Sequence, residues 1–447
     1  MNPNSTLLSK LAGRDAKIGV IGLGYVGLPL SLAFAEAGFE VRGLDIDEHR
    51  VNQLLDGTSY IDDVSNDRVK NRVDSNFVPA AEPTVVAGCD AHIISVPTGM
   101  ANGKPEMSAI ESATKTVARQ ATNKETLIVV SSTVYPGATR EVVAPAVEQI
   151  HNGPIQLAMV PERLNPGGDY PFEEIPLVVG ADTDSAQMAA VELFETIVSD
   201  THPVDSTVTA ELTKTLENTY RMVNIALVNE LVTLAEGLNG NVWDAIEAAA
   251  TKPFGFKPFR PGPGVGGHCI PIDPQFLTWR AENIGTSVSF IDDAHQINEQ
   301  MPELVADRLE TLIKARGVSI DNASVVALGA AYKPNVGDTR NSPALRVISE
   351  LSTRADMTVV DPHTTPDQVG CRLVQSPAEA NIAESDAVVL LVDHDAFDLA
   401  EIGEEANFIF DTRNTMPKTV AADVVTLGEF IDQPSDQSKQ SISINQD

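Results

Sequence analysis

The groups in this sequence best suited to covalent chemistry are a thiol behind a glycine loop and a lysine paired with an amide. The loop runs Lys252-Pro-Phe-Gly-Phe-Lys257-Pro-Phe-Arg260-Pro-Gly-Pro-Gly264-Val-Gly266-Gly267-His268 and ends at Cys269. Its glycines, Gly264, Gly266 and Gly267, are expected to expose backbone N–H groups and give a ligand close access. Neighbouring cations and N–H dipoles lower a thiol pKa, which makes a nucleophile at neutral pH. Lys214 and Asn218 stand four residues apart in a helical stretch and therefore share one face. That stretch is mostly apolar, so a lysine and an amide inside it need partners. Glu211 and Arg221 extend the same face, which leaves a solvated stripe as the alternative. Glu162 and Arg163 follow an apolar run at Ile155–Val160, at the strand end where α/β folds bind ligands, although a surface ion-pair segment is also a fair reading.

A second chemistry is written near the start. Gly22-x-Gly24-x-x-Gly27 follows the strand-like run Lys17–Ile21 and opens a helix-like one. The glycines permit a tight turn and let the backbone approach a pyrophosphate at the positive end of a helix. Asp45, 23 residues beyond Gly22 at the end of a second strand, is placed to accept hydrogen bonds from a ribose diol and to repel a 2′-phosphate, which favours NAD over NADP. Tyr25 and Val26 inside the turn, and Thr98 after a later strand, belong to the same expected cofactor site. Farther along, Ala327-Leu-Gly-Ala-Ala-Tyr-Lys333-Pro-Asn335 lacks this signature and carries Lys333, then Arg340, as cations able to meet a nucleotide diphosphate, with solvated surface residues as the alternative. No metal site is expected: His268 and Cys269 are adjacent, which rarely suits one tetrahedral ion, and His295 is remote.

The elements that must position these groups read as three regions. Apolar runs at Ala91–Val96, Leu127–Ser131 and Ile155–Val160 alternate with helix-like stretches such as Met107–Ala121, which predicts a parallel sheet covered on both faces. Val208–Leu238 reads as one long helix and Val242–Ala250 as a second, before the Pro/Gly loop. Strand rhythm resumes at Ser324–Gly329, Thr358–Asp361, Ala387–Val392 and Phe408–Asp411. The expected domains are 1–207, a helical 208–305 and 306–432, with a disordered Ser/Gln/Asp-rich tail at 433–447.

Composition narrows the function classes. The chain has 447 residues, 43% of them apolar, with 63 acidic against 31 basic side chains and a net charge of −32. Nucleic-acid backbones and anionic membranes are repelled by such a charge. The acidic balance also suits a salt-rich cytoplasm, where screening shortens to about 3 Å at 1 M. No secretory leader or membrane-spanning run is read, which predicts a cytoplasmic protein, and three scattered cysteines make no disulfide framework.

Together the motifs Gly22–Pro29, Ser131-Ser132-Thr133, Pro161-Glu162-Arg163, Lys214–Glu230, Gly262–Asp273 and Tyr332–Arg340 resemble the UDP-sugar 6-dehydrogenases, NAD-dependent enzymes that oxidise a primary alcohol to a carboxylate in two steps. The likeness runs from about Lys17 to Thr415. It implies two Rossmann-like, doubly wound α/β domains joined by a central all-helical domain that forms a homodimer. It casts Cys269 as nucleophile, Lys214, Asn218 and Asp273 as groups around the reacting carbon, and Glu162 as general base. Thr133 would hold a water or the nicotinamide, Arg340 would lie near the cofactor, and Lys333 would contact substrate. Arg163, Lys257, Arg260 and the loop glycines join the expected substrate site. Ile270 and Ile272 depart from the glucose-oxidising branch. Leu164-Asn-Pro-Gly167 and Thr251–Pro274 look like members acting on N-acetylated hexosamines, with wording nearer UDP-N-acetylglucosamine than UDP-N-acetylmannosamine 6-dehydrogenases. A one-step β-hydroxyacid-type dehydrogenase, which needs no cysteine, is the rival class, and a non-catalytic nucleotide-sugar binding protein a further one.

Overall fold

A computed structural model describes residues 6–61, 63–121, 125–153, 155–163 and 170–429. The expected tail at 433–447 and the Leu164–Gly167 motif lie outside the described residues. The chain divides into two compact units, Met1–Asn218 with Ile272–Val288, and Thr219–Pro271 with Ser289–Asp447. The helical region expected at 208–305 is thus shared between them.

The first unit is built on an eight-stranded sheet. Its strands are β1 (Lys17–Ile21), β2 (Glu40–Leu44), β3 (Phe77–Ala80), β4 (Ala91–Ile94), β7 (Thr126–Val130), β8 (Ile155–Met159), β9 (Leu177–Ala181) and β10 (Thr201–Val204). A separate antiparallel hairpin, β5 (Gly99–Ala101) and β6 (Lys104–Glu106), stands apart from it. The sheet order is β10-β9-β8-β7-β4-β1-β2-β3. β4 and β7 are buried at every position, as expected of strands covered on both faces, with His92 and Thr126 the polar residues in their largely apolar runs. One pairing departs from the all-parallel expectation: β9 runs antiparallel to β8. Among the described residues of the β8–β9 connection there is only the short turn Phe172–Glu174, and no helical crossover of the kind that parallel strands need.

The second unit carries a six-stranded parallel sheet of β11 (Ser324–Leu328), β12 (Asp356–Val360), β13 (Arg372–Val374), β14 (Ala387–Leu390), β15 (Phe408–Asp411) and β16 (Asp423–Thr426), ordered β13-β12-β11-β14-β15-β16. One face of it shares a core with helical residues Val232, Trp243, Val305 and Leu309. The long helix spans Thr207–Gly237, the next Val242–Ala250, and a 27-residue helix, Ser289–Ala315, supplies the rest of the helical region. Among the described residues no helix is long and apolar enough to cross a membrane.

Candidate active site

The glycine turn closes β1 onto the helix Gly27–Glu36. Gly22 holds φ at +90°, a region that favours glycine, and a Cβ on Gly27 would lie 1.8 Å from the Gly22 carbonyl oxygen, so neither position admits a side chain. A Cβ on Gly24 would meet nothing within 4 Å, which leaves its backbone open to a ligand. Asp45, at the end of β2, is 6% exposed. One carboxylate oxygen accepts the Leu23 N–H at 2.7 Å and the other the Asp47 N–H at 2.9 Å. A carboxylate has about four lone-pair sites, so capacity remains for a ribose diol. The site therefore fits the dinucleotide expected of it. Tyr25 is exposed beside the turn and Val26 half-buried. Thr98 donates through Oγ1 to the Thr133 carbonyl at 2.6 Å, and Ser132 Oγ to the Val96 carbonyl at 2.7 Å, which ties the ends of β4 and β7 together.

At the carboxyl end of the same sheet, four of the expected catalytic groups meet. Glu162 follows β8, and its Oε2 lies 4.0 Å from Lys214 Nζ, with side chains 14% and 7% exposed. Asn218 donates through Nδ2 to Asp273 Oδ2. Asp273 is 3% exposed and opens the helix Asp273–Asn283. Burial pushes the Glu162 carboxyl up to about 7, opposed by Lys214 and reinforced by the charge of Asp273. Burial likewise raises Asp273 to about 6 against the pull of Lys214 and the Asn218 hydrogen bond. Glu162 Oε1 is buried with no partner among the described residues, an acceptor suited to a proton donor such as water or a substrate hydroxyl. The arrangement holds two carboxyls poised near neutrality around one ammonium, as proton transfer near pH 7 requires.

The stripe on the long helix faces inward. Glu211 is fully buried and accepts from the Gly137 N–H at 2.6 Å, the Thr139 N–H at 2.8 Å and Thr139 Oγ1 at 2.6 Å, while Arg221 stands exposed outside it. The solvated-stripe alternative is thereby overturned. Arg163 spends its guanidinium on Glu217 at 2.6 Å and on the Pro176 carbonyl, so the structure gives it an ion-pair role beside Lys214's helix.

In the second unit the loop glycines do something other than the sequence suggested. A Cβ on Gly266 would lie 2.6 Å from Pro343 Cδ and 2.9 Å from the Asn341 carbonyl oxygen, and one on Gly267 would lie 2.9 Å from the Tyr332 ring. The Gly267 N–H donates to the Arg340 carbonyl at 3.0 Å. Both glycines admit the segment 332–343, and Gly267 spends its N–H on that segment rather than presenting it to a ligand. Gly264, at φ +127°, does line a narrow cleft with Pro263, Ala331, Tyr332, Lys333 and Arg413. Cys269 is exposed at the end of this loop. Burial, reinforced by Arg340, lowers the His268 pKa, so its ring is neutral near pH 7. Lys257 is exposed, Arg260 pairs with Glu247 at 2.8 Å on the surface, and Arg340 pairs with Asp338.

Two features escaped the sequence. Arg413 reaches the cleft because Gly262 leaves room: a Cβ there would lie 2.7 Å from its Nη1. A buried amide relay also holds the cysteine loop. The Gly262 N–H donates to Asn229 Oδ1 at 3.0 Å, Asn229 Nδ2 to Asn298 Oδ1 at 2.9 Å, and Asn298 Nδ2 to the Met222 carbonyl at 3.2 Å. No distinct sequence signal marks this relay, since Asn298 stands among the polar residues Gln296, Glu299 and Gln300.

Comparison with known proteins extends these findings. Residues 16–198 match the NAD binding domain of the UDP-glucose/GDP-mannose dehydrogenase family, 208–300 its central domain and 326–418 its UDP binding domain. The UDP-N-acetyl-D-mannosamine dehydrogenase of Methanococcus maripaludis is 34% identical over 417 residues, covering 90% of this chain and 93% of that one. The UDP-N-acetyl-D-glucosamine 6-dehydrogenase of Salmonella typhi is 31% identical over 420 residues, covering 90% and 97%. A solved UDP-D-ManNAc dehydrogenase from Pyrococcus horikoshii superposes with a TM-score of 0.83 at 30% identity, covering 92% of this chain and 99% of that one.

Proposed function

Because the chain belongs to the UDP-glucose/GDP-mannose dehydrogenase family and is an NAD-dependent UDP-sugar dehydrogenase, we propose that it oxidises the C6 hydroxyl of a UDP-N-acetylhexosamine to the carboxylate, through a covalent bond to Cys269. The observation that carries this reading is the cluster of Glu162 and Asp273 around Lys214 at the ligand-binding edge of the cofactor sheet. Relatives named for N-acetylmannosamine and for N-acetylglucosamine support the hexosamine class.

Bound NAD would accept the hydride released at each of the two oxidations. The protein does the rest. A base takes the hydroxyl proton as the first hydride leaves, and Lys214 and Asn218 hold the alkoxide and then the aldehyde oxygen. The Cys269 thiolate adds to the aldehyde carbon, its oxygen taking a proton, and loss of the second hydride, with that proton returned to the base, leaves a thioester. Glu162, ionised above about pH 7, accepts a proton from water as it attacks the thioester carbon, and the carbon–sulfur bond breaks to restore the thiol. Donors aimed at such a developing oxyanion contribute ~10²–10³ in rate each. Cys269 is four residues ahead of Asp273 in the chain, so one short segment supplies both nucleophile and carboxyl.

The proposal includes a homodimer built on the long helix. Leu227, Leu231 and Leu234 repeat at the four-three spacing of a helix seam, Leu238 follows just past the helix end, and each of the four is between 37% and 72% exposed.

The test is a stoichiometry and a ranking at high KCl. Two NADH formed per sugar, with UDP-GlcNAc or UDP-ManNAc oxidised faster than UDP-glucose, supports the reading. One NADH with aldehyde release, or UDP-glucose fastest, refutes it.

A further inference from the structure

The two sheets place an aspartate at the same point and use it differently. Asp45 ends β2, next to β1, and Asp361 follows β12, next to β11. Asp45 accepts two backbone N–H groups and keeps capacity to spare. Asp361 accepts from the Ala330 N–H at 2.7 Å, Ala331 at 3.2 Å, His363 at 2.8 Å and Thr364 at 3.0 Å, and its Oδ2 lies 3.2 Å from His394 Nε2. Five donors exceed the roughly four lone-pair sites of a carboxylate. Asp361 therefore has no capacity for a ribose diol and acts as an internal anchor.

His394 is what the anchor holds. Both side chains are fully buried. The Asn335 N–H donates to His394 Nδ1 at 2.9 Å. A backbone N–H only donates, so Nδ1 presents a lone pair, the proton sits on Nε2, and Nε2 donates to Asp361. The ring is edge-on to Phe397, with centroids 5.3 Å apart, which fixes its plane. Asn335 is gripped twice, since its Oδ1 also accepts the Asp395 N–H at 2.9 Å, and it holds the left-handed φ of +61° at which the chain reverses. Two residues before it stands Lys333, a cation lining the cleft with Gly264 and Arg413.

From this geometry we infer that His394 is a positioning residue for the nucleotide diphosphate: a neutral imidazole that relays the fixed position of Asp361 through Asn335 to Lys333. This rests on the reading that the second unit binds the UDP moiety. Burial raises the Asp361 carboxyl, but the His394 hydrogen bond and the backbone N–H groups outweigh it and bring the carboxyl down to about 2, so the anchor is ionised at neutral pH. Glutamine can imitate the relay, accepting with its carbonyl and donating with its amide. Alanine cannot.

The experiment measures binding of UDP alone and of NAD alone to the full-length protein by calorimetry. His394→Ala should weaken UDP at least tenfold and leave NAD within twofold, while His394→Gln stays within threefold for both. In a Lys333→Ala background the alanine effect should shrink below threefold, because the relay acts through that lysine. Unchanged UDP affinity in His394→Ala, an equal loss of UDP and NAD affinity, or a tenfold loss that persists without Lys333 would each overturn the inference. If His394→Ala does not fold, Asn335→Gly removes the bond to Asp395 while keeping the left-handed backbone. It should weaken UDP binding selectively, and an unchanged affinity overturns the inference. Wild-type protein that binds no UDP removes the underlying reading instead.

Discussion

Replacing Glu162 with glutamine should change both stability and catalysis, in opposite directions. In the unfolded chain the carboxyl titrates near its ordinary 4.5, whereas in the folded protein burial raises it to about 7. Between these values the native state binds the extra proton, so wild-type stability falls as pH rises through the window. Above pH 7 the full cost is present, about 3 kcal/mol at 1.36 kcal/mol per pH unit. The glutamine variant has no such proton to lose. Relative to wild type it should gain nothing below pH 4.5 and about 3 kcal/mol at pH 8, while turnover to the carboxylate drops by ~10²–10⁴. The chain's two tryptophans make the assay local, since Trp279 lies in the first unit and Trp243 in the second. In a Trp243→Phe background, urea unfolding followed by Trp279 fluorescence reports the unit that contains Glu162. A stability difference that stays within about 0.5 kcal/mol from pH 4 to 8, the range of a neutral surface change, would refute the raised carboxyl and its role as base.

Three further outcomes follow from the same geometry. Asp45→Asn should weaken NAD binding by roughly 10–150-fold, because the ribose diol loses a charged acceptor oxygen, a hydrogen bond of about 1.5–3 kcal/mol; calorimetry with NAD and with UDP should show the loss for NAD alone. Wild-type kcat should rise with pH across the interval from about 6 to about 7, where Asp273 and Glu162 lose their protons, and the Glu162→Gln profile should lack the upper step. With a net charge of −32, the KM for the UDP-sugar should fall when KCl is raised from about 0.1 to about 1 M, because the screening length shrinks from about 10 Å to about 3 Å and long-range repulsion is lost. A KM that rises instead would show local cation–phosphate attraction to dominate.

The parts of the fold legible in the sequence were those whose chemistry is local. Largely apolar runs marked β4, β7, β11 and β14 to within two residues, and Val242–Ala250 and Phe408–Asp411 were read at their observed ends. The glycine turn and Asp45 were legible because a ribose-binding carboxylate must end the strand beside the turn. The antiparallel β9 was not, since nothing in Leu177–Ala181 distinguishes strand direction. The partnership of Glu162, Lys214, Asn218 and Asp273 came from family likeness, and only folding shows that residues 162 and 273 flank one lysine. Gly267 was misread for a physical reason, and Gly266 packs against the same neighbour. A glycine admits a ligand or a neighbouring chain segment equally well, and here the neighbour is 332–343. His394 and Arg413 gave no signal, because their importance lies in contacts with residues tens of positions away.

The most direct measurement is the mass of the peptide containing Cys269 after Glu162→Gln protein has been mixed with NAD and the UDP-hexosamine it oxidises and then quenched in acid. With the hydrolytic base removed, the account predicts that Cys269 carries the UDP-uronyl group as a thioester, with two NADH formed per modified thiol. An unmodified Cys269, in protein that has formed NADH and released aldehyde, would contradict it.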